Sequence, residues 1–312
     1  MTRVLLMKPS SLGDIVHSLP LATALSHRGM DVHFAARREY RELLELCPAI
    51  SKILDFPSRV TDAFPFLKIL RHQEYDSVID LQGLFRSAVA TACARTARRI
   101  GLPDSREGSI FFYDETVTYP DGIQHAIDRY LSVLNKMESP NAPERPDQNQ
   151  IDYGIQIPPA ALAEAERLCG PPGYIVFSPL TRNPEKLWRP EYWEKLAGLL
   201  KNERVVLIGR GSTPEAKYDG GPWTNLIDKT FLPVLCAVIS KARACVSVDS
   251  APMHLAAALE VPVSALFGPT DPEKVGPYTR RRIVLREQSR QPADISVERV
   301  LTSVQSLLRN TK

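Results

Sequence analysis

Short β-rich runs alternate with amphipathic helical stretches along most of the 312 residues. This alternation is typical of α/β domains, in which helices connect the strands of a parallel sheet. In the first half the sequence predicts strands at RVLLMK, DVHFAA, KILDF, DSVIDL and RRIGL. In the second half it predicts them at YIVFS, RVVLIG, NLID, ACVSVD, VSALFG and RIVLR. Within the first helical stretch, Pro20 predicts a kink, or a helix that starts only near Ser18.

Residues 138–159 interrupt the alternation, because they are rich in proline and polar residues and lack an apolar period. We therefore expect two Rossmann-like domains, residues 1–150 and 151–312, with parallel sheets that face each other across a cleft. Clefts of this kind bind small ligands. The last segment, DISVERVLTSVQSLLRN, predicts an amphipathic helix that could pack back on the first domain.

The composition excludes several classes of protein. A formal net charge of +3 argues against nucleic acid as a partner. The five cysteines are scattered without a CxxC spacing, which predicts reduced, mostly buried thiols in a cytoplasmic protein. The N-terminus lacks the features of a signal peptide, and no apolar run is long enough to span a membrane. Peripheral attachment to a membrane stays open.

The first candidate site is MKPSSLGD, which follows the first predicted strand. Ligands of open parallel sheets bind beyond the carboxyl ends of the strands. Gly13 would allow a tight turn or a close backbone approach, and Ser10 and Ser11 offer hydroxyl groups. Asp14 has two interpretations: it caps the next helix, or it is a general base that accepts a proton from a substrate hydroxyl.

The loop SPLTRNPEKLW also follows a predicted strand. Thr181, Arg182 and Lys186 place a hydroxyl and two cations at the strand end, where they suit a phosphate group. The alternative is a solvated loop that Trp188 anchors to the core.

A third strand end lies in VSVDSAPMHLAAAL. Asp249 or Ser250 is the expected N-cap of a helix, with Pro252 in its first turn. The small residues Ser250 and Ala251 leave the backbone N–H groups accessible, and such a helix N-terminus binds phosphate. An ordinary strand–helix turn with a core His254 is the alternative. The coincidence of cap, small residues and histidine favours the phosphate site.

Three weaker segments complete the survey. Thr270, in LFGPTDPEKVGPY, could complete a nucleotide pocket or lie in a long turn. LIGRGSTPEAK has only the first two glycines of a dinucleotide fingerprint, which is weak evidence for NAD; its Glu215 could instead contact a ribose. AFPFLKILRH is apolar and basic enough to touch a membrane surface, although a helix that faces the core is the simpler interpretation.

These loops, in this order, resemble those of the glycosyltransferase family 9 heptosyltransferases. The resemblance covers nearly the whole chain. It includes VLLMKPSSLGDIVHSLP, YDSVIDLQGLFRSAVATACARTARRIG, SREGSIFFYDETV, QHAIDRYLSVL, TRNPEKLW, VSVDSAPMHLAAAL and LFGPTDP. The second of these blocks points to the type I members of the family.

The resemblance implies a GT-B fold with an N-terminal acceptor domain and a C-terminal domain that binds ADP-heptose. It implies transfer of L-glycero-D-manno-heptose to the first Kdo of Kdo2-lipid A, with inversion and without metal or cofactor. The enzyme would work in the cytoplasm, peripherally on the inner membrane. Ser250-Ala251, where type I members often carry Thr-Gly, and the short segment 56–66 keep a type II or III acceptor open. A nucleotide-sugar epimerase of similar architecture is a further alternative.

By position, Asp14 is similar to the family's general base and Lys186 to the lysine that neutralises the leaving diphosphate. The residues expected to bind the donor are Thr181, Arg182, Glu215, Asp249, Ser250, Ala251, His254 and Thr270. The residues expected on the acceptor side are Ser10, Ser11, Gly13, Gln82, Arg98 and Arg99.

Overall fold

The computed structural model describes residues 2–137, 151–211, 218 and 220–309. The chain divides into two compact units, Met1–Gln156 and Ile157–Lys312. The domain boundary predicted at residue 150 falls outside the described residues, as does most of the predicted linker. Assignment of acceptor and donor to the two domains stays a prediction.

The first unit contains a six-stranded sheet in the order β3-β2-β1-β4-β5-β6, and every pairing in it is parallel. The apolar runs of the sequence form its central strands, which are buried between helices. Its strands are β1 (Arg3–Met7), β2 (Asp31–Arg37), β3 (Ile50–Phe56), β4 (Glu74–Asp80), β5 (Arg95–Gly101) and β6 (Glu115–Thr116). The sequence did not predict β6, which is too short to carry a periodic pattern.

The helices of the first unit are α1 (Leu12–His27), α2 (Arg41–Leu44), α3 (Ala63–His72), α4 (Phe85–Cys93) and α5 (Ala126–Leu131). The late start of α1 is wrong as a prediction: the helix begins at Leu12 rather than near Ser18, and it continues through Pro20. Gly13 lies in the first turn of α1. Burial of most of the α1 side chains offsets the backbone hydrogen bond that Pro20 cannot donate.

The second unit repeats this design with a parallel six-stranded sheet in the order β12-β11-β10-β7-β8-β9. Its strands are β7 (Ile175–Ser178), β8 (Val205–Leu207), β9 (Thr224–Asn225), β10 (Ala244–Val248), β11 (Val263–Phe267) and β12 (Arg282–Arg286). Its helices are α6 (Pro159–Cys169), α7 (Pro190–Leu199), α8 (Leu232–Ser240), α9 (Ala251–Ala258), α10 (Pro272–Val275) and α11 (Val297–Arg309). The strand predicted at NLID is shorter than expected and shares only Asn225 with β9.

Six short 3₁₀ helices connect these elements: Arg38–Tyr40, Val60–Asp62, Ser109–Phe112, Ser132–Lys136, Pro184–Lys186 and Pro292–Asp294. Trp188 is buried in the second core beside Trp193, and its indole N–H donates to the carbonyl of Ile295 at 2.9 Å. This contact confirms the predicted tryptophan anchor. Within its unit, the amphipathic helix α11 packs against α7 and the strands β10 to β12. Its contact with the first domain stays a prediction.

The order of the strands reverses at one point in each sheet. In the first unit the chain runs outward from β1 through β2 to β3, then continues on the other side of β1 with β4. In the second unit the same reversal separates β7 from β10. Loops that leave such neighbouring strands diverge and open a crevice beyond their carboxyl ends. The two reversal points, β1/β4 and β7/β10, therefore mark where ligands are expected in each unit.

The cysteines carry no disulfide: all five are free, and all but the half-buried Cys93 are buried, as predicted. Within the described ranges, no helix is both long and apolar enough to cross a membrane. The same part of the chain contains no group of three or more His, Cys, Asp or Glu side chains arranged to hold a metal ion.

Candidate functional site

The β1/β4 crevice brings together four of the residues predicted from the sequence. Ser11 is the N-cap of α1, and its backbone N–H and its hydroxyl donate to Asp14 Oδ2 at 3.0 and 2.8 Å. The backbone N–H of Ser10 donates to Gln82 Oε1, across the crevice, at 3.2 Å. Asp14 thus occupies the third position of the helix and satisfies an N-terminal donor, as the capping interpretation predicts. It stays partly exposed, so the capping role leaves it accessible to a substrate hydroxyl.

Lys8, the first residue after β1, is a buried cation beneath this loop. Its side chain is 4% exposed, and its Nζ donates to the carbonyl of Leu81 at 3.2 Å and lies 5.6 Å from the centre of the Tyr130 ring. Burial lowers the pKa of Lys8, while the nearby carboxylates of Asp14 and Asp80 raise it. Burial is the larger effect, so the pKa of Lys8 is lowered overall, and the two carboxylates oppose that shift.

Not every predicted acceptor residue lies in this crevice. Arg98 and Arg99 are paired with Ser77 and Val78, before the carboxyl end of β4. Arg98 donates to Glu115 at 2.6 Å, and Arg99 lies 3.4 Å from Asp114. These ion pairs occupy both guanidinium groups, and a role for them in acceptor binding stays a prediction.

The β7/β10 crevice joins three predicted donor-binding residues around one carboxylate. Asp249, directly after β10, is 6% exposed. Lys186 Nζ, from the loop after β7, donates to Asp249 Oδ2 at 2.7 Å, and the hydroxyl of Thr270 donates to the same oxygen. Residues from three strand ends are thus fixed at one point. The lysine side chain is 20% exposed and is therefore partly accessible from solvent.

The helix α9 begins beside this cluster. Ser250 is its N-cap, as predicted, and its hydroxyl lies 3.4 Å from that of Ser178 and 3.3 Å from that of Ser247. Ala251 is the first helical residue, and His254 is buried within the first turns. Pro252 has no N–H and the Met253 N–H donates to the Ser250 carbonyl at 3.1 Å, so the first helical residue, Ala251, and the helix dipole are what this end offers an anion. Through Asp249, which directly precedes the N-cap, Lys186 is connected to the N-terminus of α9, and a phosphate site here stays a prediction.

The remaining predicted donor residues differ in how far the structure describes them. Thr181 and the exposed Arg182 lie in the same loop as Lys186, after β7, at the ligand edge of the sheet. Glu215 lies outside the described residues.

Comparison with known proteins identifies the family. Residues 64–303 match glycosyltransferase family 9 (heptosyltransferase). The chain belongs to this family. It is 32% identical over 305 residues to lipopolysaccharide heptosyltransferase 1 of Pseudomonas aeruginosa, an alignment that covers 91% of this chain and 83% of the relative. It is also 27% identical to lipooligosaccharide heptosyltransferase 2 of Haemophilus ducreyi, with 91% and 88% covered.

Solved structures agree with this family 9 assignment. E. coli heptosyltransferase WaaC with ADP superposes with a TM-score of 0.82 at 27% identity, covering 98% of this chain and 100% of that one. The same enzyme with ADP-2-deoxy-2-fluoro heptose superposes with a TM-score of 0.78 at 26% identity, and both chains are covered fully. The predicted GT-B fold and the predicted resemblance to the heptosyltransferases are confirmed.

Sequence reasoning missed three residues of this family 9 chain that shape the first crevice: Lys8 as a buried cation, Asp80 and Tyr113. Asp80 is fully buried, and its carboxylate accepts a hydrogen bond from the Tyr113 hydroxyl at 2.8 Å. One signal could have found it. That signal is its position: Asp80 is the last residue of the strand DSVID, just as Asp249 comes directly after the strand ACVSV.

Proposed function

We propose that this chain is an inverting, metal-independent heptosyltransferase that assembles the inner core of lipopolysaccharide. One observation carries the proposal. A partly exposed carboxylate, Asp14, lies at the reversal point of one sheet, and a lysine beside a helix N-terminus, Lys186 with α9, lies at that of the other. A sugar transfer needs both: a base for the attacking hydroxyl and positive charge for the leaving diphosphate.

The proposed donor is ADP-L-glycero-D-manno-heptose. Support comes from the relative WaaC, which was solved with ADP and with an ADP-heptose analogue. In this chain Lys186, Ser250 and the N-terminus of α9 would bind the diphosphate, and Thr270 would hold Asp249 so that the lysine keeps its position. Glu215 is proposed to contact the ribose.

In the proposed reaction, the acceptor hydroxyl oxygen attacks the anomeric carbon on the face opposite the diphosphate. The C–O bond to the diphosphate breaks, and its electron pair leaves with ADP. Asp14 takes the proton of the hydroxyl, a step that contributes about 10²–10⁴-fold to the rate. Lys186 and the α9 dipole stabilise the charge that develops on the leaving group. Inversion follows because a single displacement occurs.

The proposed acceptor is the first Kdo of Kdo2-lipid A, since a type I relative is 32% identical over most of the chain. A type II or III acceptor is the alternative, because the type 2 relative is 27% identical over the same share. Ser10, Ser11 and Gln82 would contact the acceptor sugar at the β1/β4 crevice.

Such an acceptor lies in the cytoplasmic face of the inner membrane, and α3 supports peripheral contact with that surface. Phe66 and Leu70 are buried in the core, as the simpler interpretation of this helix predicts. Phe64 and Ile69, however, are 77% and 46% exposed. They share α3 with the exposed Lys68, so the helix offers apolar and basic groups to an anionic lipid surface.

Vesicle sedimentation tests this contact. We expect the chain to sediment with vesicles that contain anionic lipid and less with zwitterionic ones. Phe64→Ser should weaken sedimentation, whereas Phe231→Ser, at a residue that is 74% exposed in the other unit, should leave it unchanged. Equal behaviour of the two variants would contradict a membrane role for α3.

A donor and acceptor screen tests the function itself. ADP-heptose, UDP-sugars and GDP-sugars are each incubated with Kdo2-lipid A or its heptosylated product, with and without EDTA. We expect transfer from ADP-heptose to Kdo2-lipid A and no loss of activity in EDTA. Transfer to the heptosylated product alone would support the alternative acceptor. Isomerisation of a nucleotide sugar without any acceptor would identify an epimerase instead.

A further inference from the structure

The buried carboxylate of Asp80 has no part in the proposed chemistry, yet it is the best-satisfied acid of the first unit's ligand edge. It is 0% exposed. Its Oδ1 accepts the backbone N–H groups of Gln82 and Gly83 at 2.8 and 3.1 Å, and its Oδ2 accepts the Tyr113 hydroxyl at 2.8 Å. Burial raises the pKa of Asp80, and these hydrogen bonds oppose that rise. A buried acid with this many partners organises its surroundings.

What Asp80 organises is the loop of residues 81–84. The carbonyl of Gly83 accepts the backbone N–H of Arg106 at 2.8 Å and the hydroxyl of Ser109 at 3.1 Å. Gly83 has φ +63°, and a Cβ there would lie 2.7 Å from Ser105 Oγ. The position therefore requires glycine.

A second set of contacts holds the other end of this loop. Lys8 Nζ donates to the carbonyl of Leu81 at 3.2 Å, and the backbone N–H of Leu81 donates to the carbonyl of Met7 at 3.0 Å. The loop is thus attached to β1, to its own strand β4 and to the segment after β5. Asp80 lies at the centre of these contacts.

The loop is connected to Asp14 through two short steps. Gln82 Oε1 accepts the backbone N–H of Ser10 at 3.2 Å. The next residue, Ser11, donates its N–H and its hydroxyl to the Asp14 carboxylate. A displaced Gln82 would release Ser10, and with it the residue that orients the carboxylate. An error of about 1 Å in the position of a reacting group costs up to about 10²-fold in rate.

We propose that Asp80 is a positioning residue for the transfer reaction: through Gln82 and Ser10 it holds the Asp14 carboxylate in its reactive orientation. The inference rests on the proposed role of Asp14 as base. In this role Asp80 acts as a hydrogen-bond acceptor, and its negative charge is not required. Asparagine at this position keeps the Oδ1 that accepts from Gln82 and Gly83, whereas alanine removes it.

The first test is kinetic. Asp80→Ala should lower kcat up to about 10²-fold with the donor KM unchanged, and Asp80→Asn should restore most of the activity. Tyr113→Phe, a milder change in case Asp80→Ala does not fold, should lower kcat by a smaller factor. Its matched control is Tyr75→Phe, which removes a buried hydroxyl 3.1 Å from His33 Nδ1 at the opposite end of β4. Equal kcat values for the two tyrosine variants would overturn the proposal.

Hydrogen exchange tests the same inference without any activity. Mass spectrometry of the chain should show faster exchange in peptides that cover residues 8–14 and 81–84 in Asp80→Ala and Tyr113→Phe, but not in Tyr75→Phe. Unchanged protection of residues 8–14 in all variants would refute the positioning role, whatever the kinetics show. If the wild-type chain transfers no sugar while this exchange pattern appears, the proposed function fails and the link between Asp80 and Asp14 stands.

Discussion

The two ligand edges of this chain have the same strand topology but hold their carboxylates differently. At the β1/β4 edge, Asp14 is partly exposed and accepts from the N–H and hydroxyl of Ser11. At the β7/β10 edge, Asp249 is buried and accepts from Lys186 and Thr270. The first carboxylate stays partly accessible to solvent, whereas the second is paired with a lysine. One fold, used twice, thus places a carboxylate at each ligand edge, and the proposed function gives the two carboxylates different roles.

The largest effect is expected at Asp14. Asp14→Ala should lower kcat by about 10²–10⁴-fold, because no other group would accept the proton of the attacking hydroxyl. ADP should bind as before, since the proposed donor site lies in the other unit. Turnover is measured as ADP release and binding by calorimetry. A variant that retains most of its kcat would remove Asp14 from the mechanism and end the contrast between the two carboxylates.

The next largest effect is expected at Lys186. Lys186→Ala should lower kcat by about 10²–10³-fold, as loss of a charge-stabilising donor does, and should weaken ADP binding. The matched control is Lys195→Ala on α7, where the exposed lysine pairs with Glu298 at 3.0 Å. Exposed pairs of this kind contribute little, so the control should behave as wild type. Similar losses in both variants would point to general charge rather than to a diphosphate site.

Comparison of the two edges also explains what the sequence could predict. The buried strands follow from their apolar runs, and Asp14, Lys186 and Asp249 stood out because each follows the end of such a run. The contacts between these residues did not follow from the apolar runs. Lys186 and Asp249 are 63 residues apart, and only the parallel pairing of β7 with β10 brings them together. Local patterns place residues at a sheet edge, whereas pairing is decided by tertiary structure.

Asp80 shows the same limit of prediction from local sequence patterns. Like Asp249 it comes at the end of an apolar strand, but no small-residue helix start follows it, and its role depends on Tyr113 from a distant segment. The late helix start predicted from Pro20 was wrong for a related reason. A proline is a strong local signal, yet the cap formed by Ser11 and Asp14 and the burial of α1 outweigh it.

The two N-cap serines provide a finer comparison. Ser11 contacts the proposed base, whereas Ser250 contacts two other serine hydroxyls at the proposed donor site. Replacement of Ser11 by alanine breaks a capping box and should destabilise the first unit by about 0.5–2 kcal/mol, whereas Ser250 makes no side-chain cap hydrogen bond and its replacement should cost less. Ser11→Ala should mainly lower kcat, and Ser250→Ala should mainly raise the donor KM. Thermal unfolding and steady-state kinetics measure both. If the two variants change the same kinetic constant, the proposed separation of base catalysis at one edge from donor binding at the other is wrong.

The smallest effect concerns two thiols of the second unit. Burial raises the pKa of Cys245, on β10, and that of Cys236, on α8, to about 12 from an ordinary value of 9.0. In the folded chain both thiols are therefore protonated at neutral pH, and iodoacetamide, which reacts with thiolates, should modify the half-buried Cys93 of the first unit well before either. Mass spectrometry of the alkylated peptides gives the order.

Between pH 9 and 12 the unfolded chain loses these two protons while the folded chain keeps them, so the second unit should lose stability as pH rises through this window. Cys245→Ala should reduce that slope. Early labelling of Cys245 in the native chain would mean that the core around β10 opens more readily than the complete burial of this residue implies.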